Sequence, residues 1–222
     1  MSPFPTLLAV SLVGAAACGS APAPAQPSDV PAFQGDFVPV DDTALDSAFA
    51  AFASELRRVV EARDTTALLA MVADGARLGF DEGPHGPGGM RARWFGRAGD
   101  RALWDVLEGV CAWGFVAEDD AFTAPYVFAL WPSDADPFAH VAVPGERVPA
   151  RAEPGGEVVA TLSTMTVPIL GPRRGDAWLV RLPNGDAAWL AAGDVVSPLG
   201  WRLSAWPDAQ GAWQIQSLLS GD

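Results

Sequence analysis

The sequence predicts an α+β protein: a helix-rich N-terminal domain, a small β-barrel, and a C-terminal β-hairpin that packs back on the helical domain. Three observations predict it. Apolar residues between positions 41 and 137 recur at helical spacing. Between positions 140 and 197, short β runs follow one another too closely to leave room for a helix. A Trp-bearing hairpin then follows after the barrel is already complete. The chain has 222 residues, half of them hydrophobic and nine of them Trp. That is long enough to bury one large core or two small ones, and too apolar to stay unfolded.

Residues 1–17 read as a signal peptide. Positions 4–17 form an apolar run ending in small residues, too short to span a bilayer as a helix. Ala15-Ala16-Ala17-Cys18-Gly19 resembles a bacterial lipobox, which implies cleavage before Cys18 and diacylglycerol on its sulfur. The alternative is a plain secretory peptide with a coincidental Cys. Residues 18–40 are then a tether, because Ser20 to Pro31 carries Pro at short intervals and reads as a semi-rigid extended spacer. If Cys18 is lipidated, Cys111 has no partner for a disulfide and serves as a small buried hydrophobe.

The helical domain is assigned to residues 41–137. Leu45, Phe49, Phe52, Leu56 and Val59 form an amphipathic stripe, with Asp41, Asp42 or Thr43 as its cap. Asp64-Thr65-Thr66 caps a second, short helix over 67–72, closed by Gly75. Positions 79–89, with Gly-Pro-His-Gly-Pro-Gly-Gly, read as a loop. A third helix is expected over 101–112, with Leu103, Leu107 and Val110 inward. Positions 122–131, interrupted by Pro125, read as extended.

The barrel is assigned to residues 138–197. Its runs are Val158 to Leu162, Val167 to Leu170, Ala177 to Leu182 and Ala187 to Leu190. Trp178, Val180 and Leu182 share one strand face, and Leu179 and Arg181 the other. Asn184-Gly185 predicts a type I′ turn with φ > 0 at both residues, whereas Gly155 and Gly156 read as an ordinary loop. Arg151 to Pro154, Val158 to Leu162 and Trp178 to Trp189 resemble the bacterial SH3 (SH3b) domain. The resemblance implies an SH3-like barrel acting as a non-catalytic binding module of cell-envelope proteins. It places Arg151 and Glu153 on a loop bordering the family's groove.

The tail, 198–222, holds the hairpin. Trp201, Leu203 and Ala205 lie on one face of its first strand, and Trp213, Ile215 and Ser217 on one face of its second. Since an isolated hairpin is marginal in water, it is expected to complete the 41–137 domain. From about residue 45 the chain also resembles bacterial envelope proteins in which a helix-rich domain precedes an SH3b barrel. Ala124-Pro125-Tyr126-Val127, Ser197-Pro198 and Gly221-Asp222 carry that likeness.

Charge narrows the partners. The formal net charge is −13, with fourteen basic residues, all Arg. Positions 41–137 hold seventeen acids against eight Arg; positions 138–197 hold six against five. Such a body repels phosphate backbones and anionic headgroups, which argues against nucleic acid and against any membrane contact except a lipid anchor. A halophile's solvated surface explains the same excess.

No catalytic, metal or cofactor site is expected. Asp81, Glu82 and His85 read as solvated loop residues, His140 as a hydrogen-bonded structural residue, and Gly83 to Gly89 as neither a phosphate loop nor a dinucleotide fingerprint. Candidate ligand-binding residues are Arg151, Glu153, Trp178 and Trp189, with core packing the competing role for both tryptophans. The leading expectation is an exported, outer-membrane-anchored lipoprotein, facing the periplasm if two membranes are present, that binds peptidoglycan or its peptides. An envelope scaffold that binds a partner protein comes second. An enzyme with its site in the helical domain, near Asp81 and Trp94, comes third.

Overall fold

The computed structural model describes residues 30–80, 83–95 and 100–221. Residues 1–29, which hold the expected signal peptide and Cys18, lie outside the described residues, as do Asp81, Glu82 and Asp222. Mixed α and β structure runs throughout, arranged as two lobes around three apolar clusters.

In the first lobe a five-stranded sheet carries the helices. Along the chain its strands are β2 (Val72–Arg77), β3 (Val116–Glu118), β4 (Ala121–Ala124), β11 (Trp201–Pro207) and β12 (Trp213–Ser220). Their spatial order is β2-β12-β11-β4-β3, so the C-terminal hairpin occupies the middle of the sheet. β12 runs parallel to β2 and β11 antiparallel to β4. The hairpin register shifts between Ser204 and Ala205. After that shift Leu218, rather than Ser217, joins the core. Helix α1 (Ser47–Ala62) begins one turn later than the apolar stripe suggested. Its cap is Asp46, which accepts from the Phe49 N–H at 2.8 Å, and Leu45 is left 75% exposed in a preceding 3-10 turn. Its buried face stacks Phe49 on Phe122, ring centroids 3.7 Å apart, with Trp213 edge-on.

Three further local expectations are corrected. The second helix, α2 (Thr65–Ala70), is capped by Asp64, but it ends early and Gly75 lies inside β2. Pairing with β12, some 140 residues away, decides this, and local sequence does not contain it. The Gly-rich segment is partly helical, as α3 (Gly86–Trp94). Pro87 sits in the first turn, where its missing N–H costs nothing, and burial of Met90 and Trp94 overrides the poor helix propensity. Beyond β4, Pro125 opens the short helix α5 (Tyr126–Ala129) instead of a continued strand. Helix α4 (Asp100–Ala112) buries Leu103, Leu107 and Val110.

In the second lobe β6 (Val148–Arg151), β7 (Val158–Ser163), β9 (Ala177–Arg181) and β10 (Ala187–Ala191) form a sheet, and β5 (His140–Val143) pairs separately with β8 (Met165–Pro168). All six strands enclose one core of Val141, Val143, Leu162, Val167, Val180 and Leu190, among others. Continuous pairing does not close them into a barrel: β8 meets β9 through the single bridge Ile169–Val180. The Asn-Gly turn is also corrected. The Gly185 N–H donates to the Leu182 carbonyl, so Pro183 and Asn184 are the central residues and only Gly185, at φ 93°, is left-handed. Pro183 explains the shift, since its ring presets the first central position of a type I turn. Gly155, at φ 74°, is left-handed as well and is no ordinary loop residue.

Folded structure starts earlier than position 41. β1 (Ala32–Gln34) pairs in parallel with β7, which makes it the edge of the second sheet. The Gly35 and Phe37 N–H groups continue the ladder onto the Ser163 and Thr164 carbonyls, and Gly35 passes so close to Met165 that a Cβ would collide with it. Asp42 then reaches the first lobe, donating its N–H to the Phe115 carbonyl and accepting from the Ala117 N–H at its carboxylate. Residues 31–42 are therefore a strap across both lobes. Beneath it lies the third cluster, in which Phe37, Val116, Tyr126 and Val127 meet Ala142 of the second lobe.

Candidate functional site

Alternation along the second sheet separates the two candidate tryptophans. Trp178 pairs with buried Leu190 and packs against the second core. Trp189 pairs with Leu179 on one side and Arg151 on the other, so it stands on the opposite, outward face. It belongs to none of the three apolar clusters. Both are half-buried, but Trp178 faces the second core and Trp189 the outer face, where it forms a surface platform.

That platform floors a pocket of about 290 Å³ lined by Arg151, Pro154, Arg174, Asp176, Ala177 and Trp189, with neighbouring backbone. The turn between β8 and β9 delivers Arg174 above the indole, its guanidinium carbon 5.5 Å from the ring centroid. A guanidinium at that range is held by the ring's negative face. On the far side, Arg151 Nη1 donates to the Gly156 carbonyl at 2.7 Å, which fastens the 152–156 loop as the pocket wall. Glu153 is exposed on that loop but does not line the pocket. The carboxylate of Asp176 is engaged by Arg173 at 2.7 Å. Arg174 and Asp176 were not among the residues singled out from sequence. The available signal was Arg173-Arg174-Gly175-Asp176 itself, a doubly basic turn in an acidic chain.

Other candidates fall elsewhere. His85 is exposed at the start of α3. His140 places a ring nitrogen 3.0 Å from the Asp136 carbonyl, a structural contact. Among the described residues no three His, Cys, Asp or Glu side chains gather as a metal site. Cys111 borders a shallow cavity of about 520 Å³ between α1 and α4. Burial pushes its thiol up to about 12, so it is protonated and unreactive at neutral pH. Burial likewise raises the Tyr126 phenol to about 12, and its hydroxyl donates to the Phe37 carbonyl at 3.3 Å. A groove of about 500 Å³ between the lobes is lined by Trp113, Trp201, Pro125 and Val195, with Asp105 and Arg173 at its rim. Both charged rim residues are already ion-paired.

No protein-family model matches the chain, and neither the curated proteins nor the solved structures include a match to it.

Proposed function

We propose that this is a non-catalytic cell-envelope binding protein whose second lobe is an SH3b-like module recognising peptidoglycan through its peptides. The observation that carries this reading is the outward Trp189 with the guanidinium groups of Arg151 and Arg174 lining the same pocket, on a lobe of short strands. An indole face and fixed donors suit flat amide planes and polar ends; they do not suit proton transfer. The likeness of Arg151 to Pro154 and Trp178 to Trp189 to that domain supplies the envelope context. Retention on purified sacculi tests it: the full chain should be retained and Trp189→Ala released, with unfolding midpoints that agree. Equal retention of both proteins removes the pocket from the account. Loss of retention with a partner protein co-purifying would favour the envelope scaffold, which exposed Phe138 and Leu130 between the lobes would serve.

We also propose export and anchorage by lipid on Cys18, in the outer membrane where two membranes are present. Eleven residues lie between Cys18 and Val30. At full extension they reach roughly 40 Å, so the strap would start close to the bilayer surface. A fatty-acid analogue should label the wild type and leave Cys18→Ser unlabelled; label on the variant rules out this attachment site.

A further inference from the structure

We propose that the Trp189 pocket is a carboxylate site and takes the free C-terminus of a peptide, with the last amide plane on the indole and the carboxylate on Arg174. This rests on the reading of the second lobe as a peptide-binding module, and it specifies which part of a peptide is held.

The argument is one of charge. The chain as a whole is strongly acidic, at −13. Eight of its described arginines are committed: Arg57, Arg58, Arg63 and Arg173 to carboxylates, and Arg93, Arg151, Arg181 and Arg202 to backbone carbonyls. Arg174, like Arg77, Arg91 and Arg147, has no side-chain hydrogen-bond or ion-pair partner among the described residues, although carboxylates outnumber arginines almost two to one; of these four it alone lies over an aromatic face. The nearest acid along the turn, Asp176, is taken by Arg173. What holds Arg174 is the indole face alone, which orients the guanidinium and leaves all its N–H groups for a ligand.

Arg151 sits across the same pocket. Its fork spends one nitrogen on the Gly156 carbonyl and so adds a second positive charge at a fixed place. Two cationic groups line the cavity, and its only lining carboxylate, Asp176, is already ion-paired to Arg173, which favours an anion there in an otherwise negative molecule. Phosphate and carboxylate both qualify, but a bulky tetrahedral anion gains nothing from the indole platform. A carboxylate carried on a flat amide uses both surfaces. The cavity, at about 290 Å³, holds a terminal residue or two and not a long polymer.

The test compares N-acetyl-alanyl-alanine, in D,D and L,L forms, with the corresponding C-terminal amides, titrated by calorimetry into the full chain. The free acid should bind at least about tenfold more tightly than the amide, as expected for a charge-assisted contact. Arg174→Gln should abolish that preference, while Arg181→Gln, with the same loss of charge at the far end of β9, should keep it. Equal affinity for acid and amide overturns the proposal, as does an unchanged preference in Arg174→Gln. If neither peptide binds while sacculi still retain the protein through Trp189, the carboxylate assignment falls and the envelope reading stands. Binding of the acid by a protein that sacculi do not retain upholds this site and removes the envelope reading.

Discussion

Phe37→Ala tests whether the strap is part of the fold or a passive tether. Phe37 is 9% exposed, its ring 5.1 Å from Tyr126 and edge-on to Trp131 at 5.9 Å. Truncating a buried Phe costs about 3–5 kcal/mol, because the lost transfer energy is joined by the cavity left behind. At roughly 2–4 °C per kcal/mol for a chain of this size, the midpoint should fall by about 6 °C or more. Val38, the next residue, is 57% exposed, so Val38→Ala should stay within about 0.5 kcal/mol of wild type. A second readout comes from Tyr126, the single tyrosine of the chain. Its phenol stands near 12 because burial disfavours the phenolate. Removing the Phe37 ring admits water, and the alkaline absorbance titration should move toward about 10, the ordinary value. Thermal melts and that titration on the two variants decide the matter. If Phe37→Ala behaves like Val38→Ala in both, the strap contributes nothing to the fold and the third cluster is wrongly assigned.

Truncation after Ser197 removes the two central strands of the first sheet, including fully buried Leu203, Ile215 and Leu218. At roughly 1.5–3 kcal/mol each, that loss rivals a domain's entire stability, so the helical lobe should unfold by circular dichroism, and retained helix signal would contradict the sheet order. Gly185→Val and Gly155→Val should each cost about 1 kcal/mol or more, since both glycines are left-handed with open space around a new Cβ; a cost confined to one would show that the other turn is misassigned. In a Cys18→Ser background, Cys111 should resist thiol reagents at neutral pH and react only as the protein unfolds, because its raised pKa leaves almost no thiolate and its sulfur is buried; fast labelling of folded protein would refute the burial.

What the sequence determined by itself is whatever local periodicity and capping chemistry can encode. The stripe Phe49-Leu56-Val59, the Asp64 cap and the inward Leu103-Leu107-Val110 face are each set within a few residues, and each appears as an element of the structure. The short β runs of the second lobe were equally legible, because alternation is a two-residue signal. Of the candidate site, Arg151 and Trp189 could be named from sequence, but their facing could not. Tertiary structure alone decided four things. It turned Gly75 into a strand residue by laying β12 beside β2, and it made a helix of a Gly-Pro segment by burying Met90 and Trp94. It drew residues 31–40 out of the expected tether by offering positions 32–37 the open edge of β7. It also brought Arg174 over Trp189, fifteen residues apart in the chain and joined only where the β8–β9 turn folds back across β10. Each of these depends on pairing or packing between distant segments, and a local reading of composition and spacing carries no term for such contacts.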